Sequence, residues 1–332
     1  MGQNETEKAI PNEFGSHYNS RRRRDDPPSL ANEFIMPFEP SLFSVSYAGL
    51  WGQQQLDLPA FIARAAALGY RTVMLMGKRP HLAPLDTNEH TLAELRNRLA
   101  QHKVRCGAIA GYTDFATQRA AEVPFLEMQL DYVTALCRLA SALDAPYVRI
   151  FTAYEHPGVT PTAAWNQVVA ALRECADRAT DLGITLAVQN HHDVAVDSRA
   201  LLELLGDVDR TNVKLGFDAW SPALRGEPLF ETARLMAPHT VLTTNADYLR
   251  IPRYRYRPEL VNYQRDEPDL VRAVSFGEGF IDYEAFFAGL REGGFEGLAN
   301  YEMCSPIRGG GTGENLDSYA RGYLEWMARH AG

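Results

Sequence analysis

The chain has 332 residues, 45% of them hydrophobic and 23% charged, the proportions of an ordinary soluble globular protein. Its net charge of −9 argues against a nucleic-acid partner, because surfaces that grip a phosphate backbone are basic. No run approaches the roughly 18–20 apolar residues that span a bilayer, and Cys106, Cys137, Cys175 and Cys304 form no CxxC pair. A reduced, cytoplasmic protein is therefore predicted, without a membrane span, zinc ribbon or disulfide framework.

Residues 1–39 are polar, lack an apolar period and carry Pro27-Pro28, which predicts a disordered tail ahead of one domain over 40–332. Arg21–Arg24 is followed by Asp25-Asp26-Pro27-Pro28 rather than the apolar stretch of an export signal. From there short β-rich runs alternate with helical ones. The first strand is expected at Leu42–Tyr47. Next comes a helix in which Leu58, Phe61, Ile62, Ala65 and Leu68 keep helical spacing and Gly69 supplies the cap. Further strands are expected at Thr72–Met76, Val104–Ala110, Tyr147–Phe151, Ile184–Gln189, Val213–Phe217, Thr240–Asn245 and Gly297–Tyr301. Helices fall between nearly all of them, including Thr91 to about His102 and the striped Thr162–Leu182. Eight β-then-α units predict an α/β fold, a single (β/α)8 TIM barrel. A doubly wound open sheet would better suit a GxGxxG turn after its first strand, and SYAGLWGQQ has none. Residues 246–280 are expected to form a long functional or partner-binding loop after strand seven, rich in Arg and Tyr.

The active site of such a barrel lies at the carboxyl ends of its strands. The second strand leads to Lys78, Arg79 and His81. Strand four carries Arg149, strand five Gln189, His191 and His192, strand six Asp218 and Trp220, strand seven Thr244, Asn245 and Asp247, and strand eight Glu302 and Arg308. Polar groups converging from six strand ends are costly in a packed core unless they serve a site. Residue parity along a strand places His191 with Gln189 on the site side and makes His192 structural. Lys78, Arg79, His81, Arg149, Trp220 and Arg308 are candidates for binding substrate, and His191 and Glu302 for acid/base work.

AAALGY after the first helix, LASALDAPYVRI, LAVQNHH, LGFDAW and NYEMCSP together resemble the sugar phosphate isomerase/epimerase superfamily of xylose-isomerase-like barrels over residues 41–330. The resemblance implies Mn2+ or Mg2+ held by a Glu, an Asp, a His and a second Glu. Asp218 and Glu302 match two of these, Gln189 stands in the place of the first Glu and Thr244 in the place of the His. It further implies proton abstraction beside the carbonyl of a sugar or keto-sugar, by an isomerase, epimerase or lyase. One branch cleaves C-glycosides of 3-keto sugars together with a small β-subunit. A non-catalytic binding barrel, degenerate at Gln189 and Thr244, is the alternative from another class. A phosphodiesterase of the same superfamily would need more histidine ligands and a DNA-binding charge. The expected partners are a small carbohydrate and either a second copy of the chain or a small β-subunit.

Overall fold

A computed structural model describes residues 37–117 and 122–331 of the chain, so residues 1–36 of the expected tail lie outside the described residues, while Phe38 and Glu39, expected in that tail, belong to the first strand. The strands are β1 (Phe38–Phe43), β2 (Thr72–Met76), β3 (Arg105–Ala110), β4 (Tyr147–Ile150), β5 (Thr185–Gln189), β6 (Val213–Gly216), β7 (Thr240–Asn245), β8 (Asp247–Arg257), β9 (Asn262–Val274) and β10 (Gly297–Tyr301). Eight of them form a closed parallel barrel in the order β1-β10-β7-β6-β5-β4-β3-β2. The predicted (β/α)8 fold is the fold observed.

The outer layer is α1 (Leu58–Leu68), α2 (Glu89–His102), α3 (Phe125–Ala142), α4 (Pro161–Thr180), α5 (Ser198–Val208), α6 (Trp220–Arg225), α7 (Leu229–Met236), α8 (Tyr283–Glu292) and α9 (Gly313–His330). Local chemistry sets their ends. Asp57 caps α1 by accepting from Ala60 N at 2.8 Å, and Gly69 closes it in the left-handed region at φ 102°. Among the described residues, no helix is long and apolar enough to cross a membrane.

The first strand lies earlier than its apolar run suggests. Phe38 to Leu42 pair with Gly297 to Tyr301, while Ser44–Tyr47 turn into a 3-10 helix. Phe38 is fully buried between Phe287 and Phe295, at 5.1 and 5.6 Å, but Glu39 and Pro40 after it hide the strand from a hydrophobicity reading. Serine hydroxyls explain the turn that follows: Ser44 Oγ accepts from Met76 N and Ser46 Oγ from Met303 N, which ties this corner to β2 and to the segment after β10.

The pleat divides the core in two. Leu42, Val73, Leu75, Ile109, Val148, Leu186 and Leu215 pack outward under the helices. Phe43, Met74, Met76, Ala108, Ala110, Ala187, Leu242 and Leu298 form a separate cluster that fills the barrel. Continuing the inward alternation past this plug leads to Lys78, Tyr112, Gln189, Thr244 and Glu302. On β6 the inward position is Gly216, whose missing side chain leaves room for Leu242 and Arg149, and Asp218 stands two residues beyond it.

Residues 246–280 are not the irregular loop expected. β8 and β9 pair antiparallel from Asp247↔Val274 out to Arg257↔Asn262. Arg253-Tyr254-Arg255-Tyr256-Arg257 is a period-two sequence, and the Tyr256 and Tyr263 rings meet across the ribbon at 5.3 Å. Asp247 anchors the base, accepting from Tyr248 N, Gly277 N and Gly279 N at 2.8–2.9 Å. A Cβ on Gly279 would run into the Asp247 carboxylate. Gly279→Ala is therefore expected to cost about 1–3 kcal/mol, read from denaturant unfolding, and wild-type stability in that variant would show the anchor to be yielding.

Candidate active site

Gln189 ends β5 with its amide turned to β6: Nε2 donates to Asp218 Oδ2 at 2.6 Å, and Oε1 is buried without a partner. Asp218 uses its other oxygen to cap α6, accepting from Trp220 N at 3.1 Å and Ser221 N at 3.5 Å. Asn190 clamps the two strand ends by accepting from Asp218 N at 2.8 Å and donating to Asp218 O at 3.0 Å. Asp218 is only 3% exposed. Burial pushes its carboxyl up to about 6, against the opposing hydrogen bond from Gln189.

Glu302 faces this pair from the end of β10. Burial raises its carboxyl to about 7, while the Cys304 thiol, donating to Oε1 at 3.1 Å, and the charge of Arg149 pull the other way. Cys304 is in turn 3.0 Å from Tyr248 Oη at the base of the hairpin. Cys304→Ala is expected to move the Glu302 titration further up, because it removes a donor to the ionised form. Carbon-13 NMR of the glutamate carboxyls in chelator-treated protein measures this, and an unmoved midpoint would contradict it.

The opposite half of the mouth is cationic. Arg149, 2% exposed, lies over the rings of Phe151, Tyr112 and Phe43, with centroid distances of 4.2, 5.1 and 5.5 Å. Its Nη1 donates to Gly111 O at 2.9 Å, and Nε has no partner. Lys78 Nζ sits 3.8 Å from the Tyr112 centroid, and burial and then Arg149 lower its pKa. The Tyr112 hydroxyl is buried and unpartnered.

His191 and His192 depart from strict parity, because the strand stops at Gln189 and His192 takes a positive φ of 68°. Both rings pack on Phe151, at 4.7 and 4.4 Å, and their Nδ1 atoms are 2.8 Å apart. Burial lowers His191 to about 4 and His192 to about 3, so both are neutral at pH 7. Trp220 lies between His191 and Tyr248, at 6.1 and 5.2 Å, with Nε1 buried and free of partners.

Three residues expected to bind substrate are engaged elsewhere. His81 spends both ring nitrogens on Ser44 Oγ and Leu56 O, at 2.9 and 3.0 Å, and stacks on Phe61. Arg79 forms an exposed pair with Asp86 at 2.6 and 2.5 Å, and Arg308 pairs with Glu278. The glycines beside Arg308 serve the backbone: Gly309 and Gly310 have positive φ, and Gly311 packs on Gly52 and accepts from Gln54 N at 2.7 Å. Asn245 points away from the mouth, donating to Asn300 O and Tyr323 Oη. The residues passed over in the sequence were Tyr112 and Cys304, and the pleat parity that leads from Ala110 to Tyr112 was the available signal.

Among the described residues, no three His, Cys, Asp or Glu side chains converge in a metal-holding arrangement. Two neutral oxygens on these strand ends, Gln189 Oε1 and Thr244 Oγ1, are buried and unpartnered. With the carboxylates of Asp218 and Glu302 they give four oxygen-bearing groups on the neighbouring strand ends of β5, β6, β7 and β10. Hard divalent cations take such donors, with affinity set by ligand charge, so the set fits Mg2+ or Mn2+ at reduced charge.

Fold and mouth together define a (β/α)8 barrel with an acidic half and a basic half at the carboxyl ends of its strands. The chain belongs to the xylose isomerase-like TIM barrel family, whose model matches residues 62–330. Among curated proteins none matches the sequence. Solved structures share the fold at low identity. D-allulose 3-epimerase from Methylomonas sp., in complex with D-allulose, is 17% identical with a TM-score of 0.68, over 88% of this chain and 97% of that one. The probable 3-DHS dehydratase AsbF of Bacillus anthracis is 16% identical with a TM-score of 0.65, over 88% and 99%. D-psicose 3-epimerase from Clostridium cellulolyticum H10 is 14% identical with a TM-score of 0.68, over 89% and 99%.

Proposed function

We propose that the chain is an enzyme that moves a proton beside the carbonyl of a sugar or keto-sugar, with Glu302 as its acid/base. The observation that carries this reading is the placement of a carboxyl, Glu302, at a strand end facing Asp218 and Gln189, where it accepts from the Cys304 thiol at 3.1 Å and burial raises its proton affinity above the usual carboxylate range. Gln189 cannot take up a proton. It orients Asp218 and offers an amide oxygen to the mouth. A divalent cation held by Gln189, Asp218, Thr244 and Glu302 would supply Lewis acidity to the substrate oxygen. Lys78 and Arg149 bring positive charge to the same mouth, where negative charge develops as the C–H bond breaks.

With one carboxyl base, an isomerisation on one face or the loss of a β-leaving group needs only Glu302. Inversion at carbon needs a second proton donor on the other face, a role open to the neutral His191. The dehydratase and epimerase names of the structural relatives support this range of chemistry without choosing within it. On the hairpin, Tyr254, Tyr263 and Val261 are 61%, 66% and 80% exposed, which supports an assembly contact with a second copy or a small β-subunit. Proton NMR of Mn2+-supplemented protein with a panel of ketoses, sugar acids and 3-keto-glycosides tests the reading. Conversion of at least one is expected, and a folded protein that converts none contradicts it.

A further inference from the structure

The basic half of the mouth makes no direct ion pair, although the charge of Arg149 reaches Glu302 and Asp218 across it. Arg149 is almost wholly buried, yet among the described residues neither it nor Lys78 has a carboxylate oxygen within ion-pairing distance. Burying cations unpaired is costly, and natural proteins rarely do so without a partner that arrives later. The donors left over lie around one ring, that of Tyr112. Arg149 keeps its Nε edge free, the Tyr112 hydroxyl beside it has no partner, and the Lys78 ammonium lies on the face of the same tyrosine ring. They come from β4, β3 and β2, three neighbouring strands. Glu302, Asp218 and Gln189 stand on the other half of the mouth.

We propose that Lys78, Tyr112 and Arg149 form a subsite for a carboxylate of the substrate, so that the sugar handled by Glu302 is a sugar acid. The guanidinium is bounded by the rings of Phe43, Tyr112 and Phe151, and its planar N–H edge matches a planar carboxylate better than a tetrahedral phosphate. Holding the acid group there would leave the chain of carbinols directed toward the acidic half. This inference rests on the reading of the mouth as a sugar site.

The test is calorimetry on the full chain with D-glucuronate, D-glucose and D-glucose 6-phosphate. Glucuronate is expected to bind about ten-fold or more tightly than glucose. Lys78→Met and Arg149→Met should each abolish that preference, read as the ratio of glucuronate to glucose affinity within each variant. If Arg149→Met fails to fold, Lys78→Met alone decides. Equal binding of glucuronate and glucose, tighter binding of the phosphate ester, or a preference that survives Lys78→Met would each overturn the subsite. Should the subsite fail while Glu302-dependent conversion of a neutral sugar persists, the acid/base reading stands without it.

Discussion

Glu302→Gln is expected to lower turnover by about 10²- to 10⁴-fold, the range of a positioned acid/base group, while the barrel folds normally. The amide keeps the shape of the side chain and can still meet Cys304, but it cannot carry a proton between carbon and solvent. Stability should move in the opposite direction. An unfolded glutamate titrates near 4.5, and burial raises Glu302 to about 7 in the folded chain. The folded state therefore binds the proton more tightly, and this residue's contribution to stability is largest below pH 4.5 and declines as pH rises to about 7. In chelator at pH 8 the variant should melt at or above the wild-type temperature. Full activity in a folded variant would remove Glu302 from the chemistry.

Gln189→Glu should have the second large effect, and its sign depends on the solution. Gln189 and Asp218 are both 3% exposed and joined by a 2.6 Å hydrogen bond in which the amide donates. A carboxylate in its place turns that bond into a buried contact between acceptors, costing about 3 kcal/mol or more while both are ionised. Chelator-treated variant should thus melt well below wild type at pH 8. Mn2+ should restore the loss and bind more tightly than to wild type, since a third anionic oxygen joins the set. Titration calorimetry and melting with and without Mn2+ measure this. Indifference to Mn2+ in both proteins would show that these oxygens do not hold a divalent ion.

Much of the barrel was legible because its strands are short apolar runs between capped helices. Thr240–Asn245 and Gly297–Tyr301 were bounded as observed, and the αL glycine after α1 stands where the sequence put it. Failures occurred where tertiary partners outweigh local pattern. Glu39-Pro40 interrupts the hydrophobicity of β1, yet pairing with β10 makes it a strand. The hairpin's period-two signal was masked by its charges and by Pro252 and Pro268. In the mouth, Gln189, Asp218, Glu302 and Arg149 were found from strand-end position, because inward alternation is a property of the chain itself. His81 was not separable from a ligand-binding residue, since its partners Ser44 and Leu56 lie far away in sequence. Tyr112 was legible from the same alternation, two residues past the expected strand end at Ala110, but was passed over because it reads as an ordinary apolar loop residue.

The central claim is that Glu302 exchanges a proton with carbon next to a carbonyl. Washout of that carbon-bound hydrogen into D2O reports the proton transfer even where no net product accumulates. Wild-type protein and Glu302→Gln, incubated side by side with Mn2+ and the converted sugar, would be followed by loss of the proton signal in NMR. The account predicts exchange in the wild type and almost none in the variant. Exchange at the same rate in both, with both folded, would contradict it.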